Sequence, residues 1–188
     1  AVAYAAHISM IEGSFDKALE IARELCEKHP IELVNSVNPN IFFFKQKTAY
    51  EIIDDLGLAP NQIFIPVGNA GNITAYWKGF VEGRSASMSD SVPIMNGYQA
   101  KGASPIVTGE PFMNPETVAS AIRIGNPASW SKALEARDES GGVIDSVTDD
   151  EILSAYKRLA STEGVFCEPA SAASVAGLIK QVENGTKF

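Results

Sequence analysis

The sequence predicts an α/β fold with a mainly parallel sheet. Short apolar runs alternate with segments whose apolar residues recur at helical spacing, which is the order of elements in such folds. One run, Ile63–Val67, is apolar throughout, as expected of a strand buried on both faces of a parallel sheet. It leads directly into the glycine-rich segment Gly68–Asn72 and then into a helical pattern. These features place a loop at the carboxyl end of a buried strand.

The first third of the chain contains two predicted strands and two predicted helices. They are a strand at His7–Ile11, a helix whose apolar face runs from Phe15 to Cys26, a strand at Ile31–Val34 and a helix at Lys47–Leu56 closed by Gly57. The polar cluster Asn35–Pro39 between them is typical of a turn.

Further elements are predicted after the glycine-rich segment. They are a strand near Val92–Asn96 that leads to Gly97–Ala100, a helix opened by Asn114–Glu116, a helix with the capping box Thr148–Glu151, and a last helix at Ala170–Val182 after Glu168–Pro169.

Charge and residue counts exclude several classes of function. The chain of 188 residues has 15 Lys and Arg against 23 Asp and Glu, a net charge of −8 that disfavours nucleic acid as a partner. Its two cysteines and two histidines form no metal-binding spacing, and no apolar run is long enough to span a membrane. We therefore expect no metal site and a cytoplasmic protein. The opening residues, Ala1–Ala6, indicate an internal fragment.

The segment Gly68–Asn72 predicts an anion site. Its two glycines permit backbone angles that turn successive N–H groups into one concavity, and the following helix adds the positive end of its dipole. The spacing matches neither a Walker loop nor the GxGxxG pattern of dinucleotide-binding folds. A phosphate is the expected ligand, and the alternative is a tight turn that binds nothing.

Several blocks in this order resemble bacterial threonine synthases, which are pyridoxal-phosphate enzymes of the tryptophan-synthase-β fold type (fold type II). The resemblance covers nearly the whole chain and rests on Asn35–Pro39, Gln46–Ala49, Ile65–Gly79, Gly97–Ala103, Ala121–Trp130 and Gly164–Ser174. It implies an enzyme that converts O-phosphohomoserine and water into threonine and inorganic phosphate. A homodimeric full-length enzyme is among the assemblies that it allows.

The resemblance also implies which residues bind the two phosphate groups. The cofactor phosphate of pyridoxal 5'-phosphate is expected on Gly68, Asn69, Ala70, Gly71 and Asn72, and the substrate phosphate on Asn35, Ser36 and Asn69. Glu168–Pro169 resembles a Glu-Pro turn that precedes an active-site helix, with a simple helix-terminal carboxylate as the alternative. The Ser-Phe-Lys-Asp motif of the family's Schiff-base lysine does not occur, so no catalytic residue is assigned and the chain alone is expected to be inactive.

One segment departs from the family pattern. Where the family has an Arg that grips the substrate phosphate, this chain has Ile41–Lys45, which includes three consecutive Phe. We favour the interpretation that Phe42–Ile52 is a translated sequencing adapter. The alternative is a divergent loop in which the Phe side chains pack on a neighbour and Lys45 replaces the Arg as a point charge.

The pattern predicts two incomplete domains. Residues 1–46 are assigned to a smaller α/β domain and residues 47–188 to a larger cofactor-binding domain, with 40–47 as the segment of doubtful origin. Two other functions stay open at this point. One is another enzyme of the same fold type, such as threonine dehydratase or cysteine synthase, and the other is a non-catalytic phosphate-binding module.

Overall fold

Three parallel strands form the centre of the region that the computed structural model describes, which comprises Glu24, Lys28 and residues 49–187. The elements from residue 49 onward are α1 (49–56), β1 (Gln62–Pro66), α2 (Gly71–Ser85), β2 (Ile94–Ala100), α3 (Pro105–Thr108), a 3-10 turn (Ser120–Ile122), α4 (Trp130–Ser140), β3 (Val143–Val147), α5 (Asp149–Thr162) and α6 (Pro169–Glu183). The strand order is β1-β2-β3, with Ile65 opposite Gly97 and Gly97 opposite Ile144. The predicted α/β class with a parallel sheet is confirmed.

The central strand β2 separates two apolar clusters. Met95 packs in a cluster with residues of α2 and α4, whereas Tyr98 and Ala100 pack in a second cluster with residues of α5 and α6. Side chains alternate between the two faces of a strand, so the odd-numbered residues of β2 face α2 and α4. Every residue of β2 after Ile94 is buried, as expected of a strand covered on both faces.

Polar contacts join α6 to the face of the sheet that it covers. Gln181 Nε2 donates to the Tyr98 hydroxyl at 2.7 Å and to Asn96 Oδ1 at 3.4 Å, and Lys180 Nζ lies 2.7 Å from Asp145 Oδ2. Burial raises the pKa of the Tyr98 phenol above its usual value, so the hydroxyl stays protonated at neutral pH. These contacts fix the position of α6 along the strands.

The predicted capping box begins α5. Glu151 N donates to Thr148 Oγ1 at 3.2 Å, and Thr148 N donates back to Glu151 Oε2 at 2.6 Å. Each bond satisfies a backbone donor at the start of a helix that has no acceptor within it. The local sequence therefore sets the point at which the chain turns from β3 into α5.

Replacing Thr148 by alanine should destabilise the fold by about 1 kcal/mol, because the N-terminal N–H groups of α5 lose their side-chain acceptor. The measurement is the free energy of unfolding from urea titration. Ser161→Ala is the control, since Ser161 lies at the other end of α5 and its hydroxyl donates only to the carbonyl of Arg158. An equal loss in both variants would contradict a specific role for the cap.

The third predicted strand is misplaced by the sequence pattern. It was expected near Val92–Asn96, but β2 spans Ile94–Ala100 and so includes the residues expected to follow it. Gly97 is typical of a strand end, yet it lies mid-strand. A Cβ there would come within 2.7 Å of Val67 Cγ2 and 3.0 Å of Ile73 Cδ1. The position is a glycine because α2 packs closely on the sheet.

The helix expected from Asn114–Glu116 is wrong. Residues 114–119 are irregular, and only the 3-10 turn follows. Tertiary contacts explain the difference, since Glu116 N donates to Gly102 O at 3.0 Å and Val118 N donates to the Asp149 carboxylate at 3.1 Å. These acceptors take the N–H groups that would otherwise begin a helix.

The other expectations fall into two groups. Those for residues 49–187 are confirmed at α1, β1, α5 and α6, whereas β3 and α4 were not predicted. Glu24 and Lys28 are helical, and Lys28 Nζ lies 3.4 Å from Glu24 Oε2. The predicted strands at His7–Ile11 and Ile31–Val34, and the division between residues 46 and 47, lie outside the described residues or depend on them and stay predictions. No helix of the described region is long and apolar enough to cross a membrane.

Candidate functional site

The glycine-rich segment lies at the carboxyl end of β1. Val67 N donates to Tyr98 O at 2.7 Å, which extends the pairing with β2 by one residue, and α2 begins at Gly71. Gly68, Asn69 and Ala70 therefore form a three-residue turn from strand to helix. The first turn of a helix carries N–H groups without intrahelical acceptors, and parallel α/β sheets bind their ligands at this edge.

The unusual backbone angle of the turn is at Ala70 and not at a glycine. Ala70 has φ 62° and ψ 6°, in the left-handed region, whereas neither Gly68 nor Gly71 has a positive φ. The strained residue is held in place because Thr74 Oγ1 donates to Ala70 O at 2.8 Å. Such angles cost about 1–3 kcal/mol and persist where the surroundings enforce them, commonly at functional sites.

Gly68 is required by crowding and not by its backbone angle. A Cβ on this residue would lie 2.9 Å from Ile122 Cα and 3.1 Å from Ala121 O. The 3-10 turn therefore packs directly against the backbone of the loop. The expectation that both glycines supply special backbone angles is corrected in this respect.

Asn69 connects the loop to the segment that precedes α4. Its Oδ1 accepts from Ala128 N at 2.7 Å, and its backbone carbonyl accepts from Ser129 N at 3.3 Å. Because the N–H of Ala128 requires an acceptor, the orientation of the Asn69 amide is fixed. Its Nδ2 is buried and has no hydrogen-bond partner among the described residues. Buried donors are almost always paired, so this one indicates a ligand or water.

Gln99 is a second residue of this kind, which the sequence analysis did not single out. It is fully buried at the penultimate position of β2, and its Oε1 accepts from Ile106 N at 2.9 Å and from Val107 N at 3.3 Å. Its Nε2 has no partner within residues 49–187. Asn69 and Gln99 carry the two buried, unpartnered side-chain donors of the described region. In that region, no three His, Cys, Asp or Glu side chains gather as metal ligands.

Comparison with known proteins shows the family of the chain. A family model described as "Pyridoxal-phosphate dependent enzyme" matches residues 1–186. The chain belongs to the pyridoxal-phosphate dependent enzyme family. Pyridoxal phosphate is therefore its cofactor, and the earlier expectations of fold type and cofactor are confirmed.

Curated members of the family are similar over nearly the whole chain. A threonine synthase of Synechocystis sp. is 55% identical over 181 residues, which cover 96% of this chain and 47% of the relative. Threonine synthases of Halalkalibacterium halodurans and Mycobacterium leprae are 56% and 54% identical, with 98% of this chain and 52% of each relative covered. The chain thus spans about half the length of the curated relatives it matches.

Solved structures share the fold at low identity. The processed threonine deaminase isoform 2 of Solanum lycopersicum has a TM-score of 0.75 at 21% identity, with 97% of this chain and 50% of that chain covered. A bacterial-type comparison is the threonine deaminase of T.th., which has a TM-score of 0.71 at 18% identity, with 97% and 60% covered. These likenesses support the fold and carry no information on substrate.

The structure places only part of the predicted site. Gly68–Asn72 form the turn and the helix start at the sheet edge, and an uncharged loop with a buried, unpartnered amide donor fits the phosphate of the cofactor. Asn35 and Ser36 lie outside the described residues, as does Lys45. Glu168 is exposed and is the N-cap of α6 with no side-chain cap bond, so its functional role stays a prediction.

Proposed function

We propose that the full-length protein is a threonine synthase, which converts O-phosphohomoserine and water into threonine and inorganic phosphate. The observation that carries the proposal is the 53–56% identity to the curated bacterial threonine synthases over 96–98% of this chain. The same identity does not extend to the threonine deaminases of similar fold, which are 18–21% identical. The chain is therefore far closer in sequence to the phosphate-releasing enzymes.

The turn at the end of β1 is the proposed seat of the cofactor phosphate. Gly68–Asn72 would hold it with the backbone N–H groups at the start of α2, where the helix dipole favours a dianion. The fixed left-handed angle of Ala70 orients these N–H groups before the ligand arrives. The bound cofactor supplies an electron sink for proton transfers on the substrate.

The substrate carries a second phosphate, which requires a second set of donors. We assign it to Asn35, Ser36 and Asn69. Asn69 supports this assignment because its amide is oriented by Ala128 N and its Nδ2 donor stays available. A donor that is oriented in advance loses little entropy on binding and favours the charged leaving group.

The missing lysine motif bears on how the proposal is tested. Since no Ser-Phe-Lys-Asp motif occurs in this sequence, we expect no turnover by the chain alone and propose that the full-length enzyme supplies this lysine and acts in the cytoplasm as a homodimer. The test uses a full-length chimaera, in which this chain is joined to the flanking segments of the Synechocystis relative.

Product analysis of the chimaera distinguishes the candidate functions. A threonine synthase releases inorganic phosphate and threonine from O-phosphohomoserine and releases no ammonia from threonine. Ammonia and a keto acid from threonine, without phosphate release, would indicate a threonine dehydratase and contradict the proposal. A chimaera that binds pyridoxal phosphate but forms neither product would support the non-catalytic module.

Replacing Asn69 by aspartate should lower the affinity for O-phosphohomoserine. The carboxylate still accepts from Ala128 N, but it removes the Nδ2 donor and places a negative charge beside a phosphate. We expect the KM of the chimaera to rise at least about 10-fold, in line with the loss of a charge-assisted hydrogen bond. Asn61→Asp is the control, because it makes the same change on an exposed residue just before β1, at the opposite edge of the sheet. Equal KM changes in both variants would exclude a local role for Asn69.

A further inference from the structure

We propose that Gln99 is a cofactor-contacting residue, whose Nε2 donates a hydrogen bond to an acceptor atom of the pyridoxal ring. The inference rests on the proposed role of the Gly68–Asn72 loop and adds a residue from the neighbouring strand. It starts from the observation that Gln99 is completely buried and yet keeps a donor without a partner among the described residues. An unpaired buried amide donor costs about 1–3 kcal/mol, so a paired state with a ligand is strongly favoured.

The orientation of the Gln99 amide is fixed by α3. Two backbone N–H groups, those of Ile106 and Val107, point at one atom of the amide, at 2.9 and 3.3 Å. Only an oxygen can accept both bonds, so the NH₂ group must occupy the other position. The unpartnered donor is therefore a property of the packing and not of an arbitrary choice between amide oxygen and nitrogen.

Gln99 lies on the same face and at the same edge of the sheet as the loop. A Cβ on Gly97 would contact Val67 and Ile73, which shows that this side of β2 faces α2. Gln99, two residues on, faces the same side. The last backbone bond between β1 and β2 joins Val67 N to Tyr98 O, so Gly68 and Gln99 are the next residues on their strands.

This position corresponds to the ring of the cofactor better than to its phosphate. Neighbouring strands are separated by about 4.8 Å, so Gln99 lies one strand spacing to the side of the residues that receive the phosphate. The pyridoxal ring is attached to its phosphate through a single methylene group and must extend from the loop across this edge. The ring offers neutral and anionic lone-pair acceptors, which an amide NH₂ can bind.

Gln99→Glu in the full-length chimaera separates ligand binding from structure. The glutamate keeps an oxygen that accepts from Ile106 N and Val107 N, so we expect the unfolding temperature of the apoprotein to change little. It replaces the ring-directed donor by a carboxylate. We therefore expect the absorbance maximum of the bound cofactor to shift and cofactor retention to weaken roughly 10- to 100-fold, as for a buried donor that loses its partner.

Gln181→Glu is the matched control on the opposite face of the same strand. Gln181 donates to the Tyr98 hydroxyl, so its change should affect stability and leave the absorbance of the cofactor unaltered. If Gln99→Glu does not fold, side-chain amide NMR of unaltered protein replaces it. The sequence has four glutamines, Gln46, Gln62, Gln99 and Gln181, and the Gln99 signal alone should shift strongly on addition of pyridoxal phosphate.

Three results would overturn the inference. An unchanged spectrum and unchanged retention in Gln99→Glu, or an unshifted Gln99 amide signal, would indicate that a buried water satisfies Nε2. A rise in the KM for O-phosphohomoserine with normal cofactor binding would assign the donor to the substrate. If the unaltered chimaera binds no pyridoxal phosphate, the proposed function fails as well, which distinguishes the two failures.

Discussion

Gly68→Ala is expected to remove most of the cofactor from the full-length chimaera. The added Cβ would lie 2.9 Å from Ile122 Cα and 3.1 Å from Ala121 O, and both are backbone atoms. The loop must therefore shift away from the 3-10 turn. Because the phosphate is held by several N–H groups at once, a shift of the loop weakens all of them together. We expect retention of pyridoxal phosphate, measured by absorbance after dialysis, to fall roughly 100-fold.

Gly57→Ala provides the control for this prediction. Gly57 ends α1 with φ 75°, and no atom lies within 4 Å of an added Cβ. Alanine there causes backbone strain of about 1–2 kcal/mol but no crowding near the loop. The control should lose stability and keep its cofactor. Normal retention in Gly68→Ala would contradict the assignment of the loop to the cofactor phosphate.

Gly177→Ala should cause the largest loss of stability. A Cβ at this position of α6 would meet carbon atoms of the Tyr98 ring far inside van der Waals contact. The ring cannot move aside, because it is buried, stacks on Phe64 at a centroid distance of 6.2 Å and accepts from Gln181. The helix must therefore separate from the sheet. We expect the free energy of unfolding to fall by about 3 kcal/mol or more.

Gly83→Ala is the matched substitution in α2. Its Cβ would lie 2.8 Å from Ile53 Cδ1, which is the mobile end of a side chain that can change rotamer. Alanine is also favoured over glycine inside a helix by about 1 kcal/mol. We expect little net change in urea unfolding. Equal destabilisation of the two variants would show that the contact between α6 and Tyr98 has no special weight.

The elements with strong local signals were predicted from the sequence. β1 is a continuous apolar run, and α5 begins with a complete capping box, so neighbouring residues alone specify each of them. α4 was missed because its buried positions are the small residues Ala133 and Ala136, which give a weak apolar pattern. β3 was missed because Asp145 and Ser146 interrupt its apolar residues.

The site was predicted to a similar extent, and for a comparable reason. The strand, glycine-rich loop and helix are contiguous in the sequence, so the loop and its expected ligand could be inferred. The left-handed angle of Ala70 and the crowding at Gly68 depend on Thr74 and on the distant 3-10 turn. The unpartnered donor of Gln99 depends on where α3 packs. Such features arise from tertiary contacts, which a single sequence does not reveal.

A crystal structure of the full-length chimaera with pyridoxal phosphate tests the central claim most directly. We predict that the phosphate lies at the start of α2, with its oxygen atoms within hydrogen-bond distance of backbone N–H groups of Gly68–Asn72. A phosphate bound elsewhere, with this loop making no contact to it, would contradict the account.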